Sequence, residues 1–188
     1  MEDAELIRQV LAGRHEQYAL LVQRYQEPLI GFLRRFFGNE EEVFDCAQEA
    51  FLAAYRNLWR YSFEHSFRAW LYSIARNRAI DMLRKRKHEV PLEYEPEVES
   101  SNSPEEEWIK KEKTFFIREV LEELPEHYRN ALYLRYMQEL SYEEIAQVLN
   151  VPVSSVKTYL HRGKEKLRQH MERRGIYERE RGILESPV

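Results

Sequence analysis

Cysteine occurs once in this chain, at Cys46, and glycine only six times among 188 residues. A single cysteine excludes an intrachain disulfide and every CxxC metal pattern. No apolar run approaches the roughly 20 residues needed to span a bilayer. The opening Met1-Glu2-Asp3 is acidic and lacks the basic lead and apolar stretch of a signal peptide. A cytoplasmic protein without direct membrane insertion is therefore expected. Phosphate-cradling glycine loops and the HExxH metal motif are also missing. Gly163-Lys164 runs on into Glu165 inside a helical pattern, and the six histidines are scattered without ligand spacing. No cofactor, metal or catalytic residue is expected.

What the chain does have is charge, unevenly placed. A third of the residues are charged, and the net charge of −4 hides two basic blocks. Arg56 to Lys87 carries nine basic against two acidic side chains, and Val151 to Arg174 carries seven against two. Between them, His88 to Glu107 has eight glutamates and no Lys or Arg. Two basic surfaces separated by an acidic strip suit two contacts with one polyanion, although solvated helix faces give the same composition.

Periodicity reads as helix almost throughout, which predicts an all-α protein of two small helical domains. Glu2 to Ala12 places Leu6, Ile7, Val10 and Leu11 on one stripe, with Gly13 as the stop. His15 to Phe37 follows, with Pro28 expected to bend it, and then Glu41 to about Leu58. After a loop at Trp59 to His65, Ser66 is placed to cap a long helix ending in the basic run Arg84 to Lys87. The first domain is expected over residues 1–87 and an extended, glutamate-rich linker over 88–102. Ser103-Pro104-Glu105 restarts a helix by cap, proline and acid. The second domain is expected over 103–172, with a featureless tail at 173–188.

In that second domain a helix is predicted over Glu126 to Met137. Ser141-Tyr142-Glu143-Glu144 reads as a capping box, and Asn150 suits a left-handed helix end. A longer basic helix starts near Val153-Ser154. Short helix, tight turn and basic helix make a helix-turn-helix. On the last helix Val153, Val156, Leu160 and Leu167 should pack inward. Ser154, Ser155, Lys157, Thr158, His161 and Arg162 are left outward at the end that reaches DNA in this motif.

Two long blocks carry a resemblance. The first is Asp45-Cys46-Ala47-Gln48-Glu49-Ala50-Phe51, then Phe67-Arg68-Ala69-Trp70-Leu71-Tyr72-Ser73-Ile74-Ala75-Arg76-Asn77 and Ala79-Ile80-Asp81. The second runs from Leu124-Pro125-Glu126 through Leu140-Ser141-Tyr142-Glu143-Glu144-Ile145-Ala146 to His161-Arg162-Gly163. In this order they resemble the extracytoplasmic-function (ECF, group IV) sigma factors of bacterial RNA polymerase. The resemblance implies a region 2 domain that docks on core RNA polymerase, recognises the promoter −10 element and opens it. It also implies a region 4 helix-turn-helix domain that recognises the duplex −35 element, and control by an anti-sigma factor.

By that resemblance Tyr61, Phe63 and Tyr72 serve a flipped −10 base, Asn77 reads a base edge, and Arg76, Arg84, Lys85 and Arg86 hold phosphates. Opening a duplex requires an aromatic-walled place for the unstacked base; core packing is the alternative for any one aromatic, and it is the reading preferred for Trp70, Leu71 and Ile74. Asp45, Gln48, Glu49 and Leu52, at i, i+3, i+4 and i+7, form one face of a helix. By resemblance that face docks on the polymerase; by pattern alone it is equally a solvated surface. A helix-turn-helix regulator acting apart from polymerase would account for Leu124 to Met171, but not for the loop aromatics or the Asp45 to Phe51 face.

Overall fold

The computed structural model describes residues 1–64, 66–89 and 123–173, and every regular element among them is helical. The chain divides into two compact units. The N-terminal one contains α1 (Asp3–Leu11), α2 (Tyr18–Leu33), α3 (Glu40–Arg56) and α4 (Phe67–Glu89). Short 3₁₀ turns at His15–Gln17 and Leu58–Arg60 lie between them. The C-terminal one contains α5 (Glu126–Tyr136), the first part of α6 (Tyr142–Leu149) and α7 (Val153–Arg173). The helix restart at Ser103 and the tail from 174 onward lie outside the described residues, as does most of the expected linker. α4 itself runs two residues into the span read as linker.

The N-terminal bundle is held by stripes at helical spacing. Leu6 and Ile7 of α1, Leu21, Leu29, Phe32 and Leu33 of α2, and Ala50 and Ala54 of α3 are fully buried, with Leu71 and Ala75 of α4. Burying each of the Leu, Ile and Phe side chains among them contributes roughly 1.5–3 kcal/mol before the entropy of ordering them is subtracted. α1 ends at Gly13, whose φ of +94° is the conformation glycine adopts without penalty. The helix expected from His15 to Phe37 is shorter, preceded by the 3₁₀ turn and ending at Leu33. Pro28 lies inside it without ending it, so the carbonyl four residues back, that of Arg24, has no helical donor there. Asn39 caps α3 by accepting from the backbone N–H of Glu42 at 2.8 Å. Ser66 caps α4 in the same way, accepting from the N–H of Ala69 at 3.3 Å.

In the C-terminal unit the capping box is closed in both directions. The N–H of Glu144 donates to Ser141 Oγ at 3.1 Å, and the N–H of Ser141 donates to Glu144 Oε2 at 2.8 Å. Asn150 has φ +55° and ends α6 as expected; Glu139, in the turn before it, has φ +52°. α5 and α7 meet at Gly163, where an added Cβ would stand 3.1 Å from Leu132 Cδ1 and 3.3 Å from Tyr128 Cβ. Gly163 thus lets the two helices come close, on the stretch of α7 where Val156, Leu160 and Leu167 are buried.

Candidate nucleic-acid and polymerase interface

α3 passes into the aromatic loop through Leu58, which is buried and pins the 3₁₀ turn. Trp59 is 67% exposed, with the Arg60 guanidinium 4.6 Å from its ring centre. Tyr61 is half-buried among three rings: Phe63 at 5.3 Å, Trp70 at 5.4 Å and Phe67 at 5.9 Å between centroids. Its hydroxyl pKa is raised by burial and then by the nearby Asp3 carboxylate, so it stays a neutral hydrogen-bonding phenol. Phe63 is 46% exposed and open to the surface. Edge-to-face and tilted packing of this kind holds rings in place while leaving a face free.

The sequence placed Trp70 in the core. It is only half-buried and forms part of the aromatic wall instead. From Trp70 one stripe runs along α4: Asn77 stands seven residues on and Arg84 fourteen, about 21 Å away at the helical rise. Asn77, Arg84, Lys85 and Arg86 are exposed. Arg86 is held by Glu42 at 3.4 Å. Arg76 is half-buried, and its Nε, shut away from solvent, has no hydrogen-bond partner.

Tyr72 does not belong with this group. It is fully buried, its ring 5.0 Å from that of Phe32, and Arg68 lies over it at 5.8 Å. Two residues past Trp70, it turns toward α2 and away from the stripe, so it is a core residue and not a DNA contact.

The α3 face has all four expected members at the surface: Asp45, Gln48 and Glu49 are exposed, and Leu52 is 46% exposed. Sequence reasoning missed its apolar component. Phe44 is 52% exposed and Tyr55 37%, and together with Leu52 they recur at the helical spacing that could have revealed them. Between α2 and α3 they border a groove of about 540 Å³ floored by Tyr18, Val22 and Phe51. Tyr18 donates to the carbonyl of Phe51 at 2.8 Å, and Tyr55 shares a hydrogen bond with His15 at 2.9 Å, fixing one end of the groove. Asp45 and Glu49 on α3 and Glu16 beside α2 give the surroundings negative charge.

Cys46 lies beneath this face, fully buried, its thiol 3.8 Å from the carbonyl of Ala75. Burial, and secondarily Glu49, push its pKa from 9.0 up to about 12.

On α7, Ser154, Lys157, Thr158, His161 and Arg162 are exposed and Ser155 is half-buried. The Thr158 hydroxyl donates back to the carbonyl of Ser154 at 3.1 Å. Val153, expected inside, is half-buried at the helix start. Tyr159 flanks the outward face, its ring 4.9 Å from that of His127 and 5.9 Å from that of Tyr128 on α5. Among the described residues no group of three or more His, Cys, Asp or Glu side chains is arranged to hold a metal ion. None of their helices is long and apolar enough to cross a membrane.

Residues 21–89 match the family described as Sigma-70 region 2, and residues 117–167 match Sigma-70, region 4. The ECF RNA polymerase sigma factor SigW of Bacillus subtilis is 36% identical over 88% of this chain and 94% of its own length. Among solved structures, CnrH in complex with the cytosolic domain of CnrY aligns with a TM-score of 0.67 at 24% identity, covering 90% of this chain and 97% of that one. The sigma factor RpoE of Bartonella quintana, in complex with the anti-sigma factor NepR, aligns with a TM-score of 0.63 at 19% identity, over 84% and 98%.

Proposed function

Because the chain belongs to the family of ECF RNA polymerase sigma factors, we propose a division of promoter recognition between its two units. The N-terminal unit takes the −10 element. Its aromatic loop receives an unstacked base against Tyr61 and Phe63, Asn77 meets a base edge, and the exposed cations at the end of α4 hold the backbone. The observation that carries this reading is the continuous stripe from Trp70 through Asn77 to Arg84, which joins an aromatic wall to a basic end on one helix face. Stacking on such a wall is worth about 1–3 kcal/mol per base, enough to offset much of the cost of unstacking it.

The C-terminal unit takes the duplex −35 element through α7. Arg162 and Lys157 suit phosphate or guanine, and Ser154 with Ser155 stands at the helix N-terminus where backbone amides favour phosphate. The α3 face, with its groove and acidic surroundings, is the surface for core polymerase. An anti-sigma factor that covered the same groove would exclude polymerase by occupying it. Support for such a partner is the groove itself, together with the bound anti-sigma protein in the RpoE structure.

The test separates the two steps in reconstituted holoenzyme. Lys157→Ala and Arg162→Ala should each weaken closed-complex formation roughly ten-fold, as expected for about 1–3 kcal/mol per base or phosphate contact. Asn77→Ala and Tyr61→Ala should leave −35 binding within about two-fold and reduce opening of the −10 region by a similar ten-fold factor. Equal effects of all four on closed-complex binding would overturn the division.

A further inference from the structure

The segment that the DNA-reading roles leave unused is α1, and its contacts converge on the aromatic loop. Leu6 and Ile7 are fully buried and Val10 nearly so, which fixes the helix on the bundle. Its first turn is fastened again by Asp3, which accepts hydrogen bonds from both Arg24 and Tyr25 of α2. Arg24 also donates to the carbonyl of Met1 at 2.9 Å. From this anchored helix Arg8 reaches out, placing its guanidinium 5.0 Å from the centre of the Phe63 ring. A second line of contact arrives from below: Tyr25 packs on Phe67 at 5.7 Å, and Phe67 on Tyr61 at 5.9 Å.

Among the described residues the Phe63 ring also touches Tyr61 at 5.3 Å, and beside it the N–H of Glu64 donates to Ser62 Oγ at 3.3 Å. Among the described residues Arg8 also faces the Glu5 carboxylate at 3.9 Å, with both side chains half or more exposed. A surface pair of that kind is worth about 0–1 kcal/mol and fixes no single geometry, whereas a guanidinium over an aromatic face has a preferred geometry. An exposed aromatic that must receive a base loses rotamer freedom when it does so. Holding it in place beforehand removes part of that cost from the opening step.

We propose that α1 is a brace for the aromatic loop and that Arg8 is a positioning residue, holding Phe63 ready for strand opening without itself contacting the base. The inference rests on the reading that this loop receives the unstacked −10 base. The effect of Arg8 is therefore expected in the opening step and not in promoter or polymerase binding.

The experiment uses full-length protein in holoenzyme with core polymerase, on a promoter carrying 2-aminopurine in the −10 element, so that opening is read as fluorescence. At saturating holoenzyme, Arg8→Ala should slow opening roughly five-fold, the size of a single exposed cation–π contact. The holoenzyme concentration at half-saturation and the thermal midpoint of the free protein should stay unchanged. Arg8→Lys, which keeps the cation, should restore most of the rate, and Arg8→Gln should not. In a Phe63→Ala background, Arg8→Ala should add nothing. Independent, multiplying losses in that double variant would overturn the proposal, because Arg8 would then act on DNA by itself. A normal opening rate for Arg8→Ala beside a slow Phe63→Ala also overturns it, and leaves the loop reading intact. Normal rates for both Phe63→Ala and Tyr61→Ala would instead remove the loop reading on which it stands.

Discussion

Tyr61 and Tyr72 lie within eleven residues of each other and have opposite fates. Tyr61 is held at the surface by three rings, while Tyr72 is closed in against Phe32 beneath Arg68. Tyr72→Ala should therefore lower the stability of the N-terminal unit by about 3–5 kcal/mol, the usual cost of removing a large buried ring. Chemical unfolding would measure it. Tyr72→Phe, in contrast, should open promoters at the normal rate. Cys46 allows a second residue-scale test. A thiol whose pKa is pushed up to about 12 is protonated at neutral pH and shielded by burial. Iodoacetamide at pH 8 should label it at least a hundred-fold more slowly in the folded chain than after denaturation, since reaction requires the thiolate and access. The sign of its pH linkage follows. The unfolded thiol ionises near 9.0 and the folded one near 12, so the stability this group contributes is complete below pH 9 and is lost as pH rises toward 12. Tyr18 and Tyr25, both raised chiefly by burial, act in the same direction. Equilibrium unfolding should show stability level with respect to these groups up to about pH 9 and declining from there to pH 11.

Among the elements, the crossing of α5 and α7 has little room for added volume. Gly163→Val would force a side chain against Leu132 and the Cβ of Tyr128, and overpacking of this kind costs about 1–3 kcal/mol. The α7 stripe would lift from the core, and −35 binding should fall together with the melting temperature of this unit. Ser141→Ala should cost about 1 kcal/mol through the lost cap. How much of these elements the sequence revealed depends on how local their causes are. The capping box, the stop at Gly13, the Ser66 cap and the left-handed Asn150 are set by side chains within four residues of the site, and each stands where the pattern put it. Pro28 was harder to read, because whether a proline ends a helix depends on what else holds that helix, here the α2 stripe packed into the bundle. The shortening at Leu33 and the 3₁₀ turn at Leu58 are likewise adjustments to packing. The candidate site divides along the same line. Exposure of Asp45, Gln48, Glu49 and the outward face of α7 followed from periodicity, and Asn77 was singled out by the family resemblance. The burial of Tyr72, the half-exposure of Trp70 and the apolar groove at Phe44 and Tyr55 depend on which neighbouring helix covers which side of a stripe, and no local pattern states that.

For the molecule as a whole, charge sets the conditions under which it reads DNA. The chain carries a net −4 even though both proposed DNA faces are basic. Nonspecific affinity comes mainly from phosphates neutralised, so the free chain should bind promoter duplex weakly at physiological salt, with a dissociation constant above about 1 μM. Core polymerase, by setting the spacing of two weak contacts, should convert them into one selective contact. Titration of labelled promoter with free chain and with holoenzyme would measure the difference. Tight specific binding by the free chain would contradict this expectation. The ion pair between Arg86 and Glu42 bears on the same titration. Arg86 is already occupied by a carboxylate before any DNA arrives, so engaging a phosphate there is an exchange of one oxyanion for another. Glu42 must regain a solvent cation as the DNA releases one. The salt dependence of binding should therefore count about one ion fewer than the number of basic side chains at the interface, and Glu42→Gln should restore the missing ion.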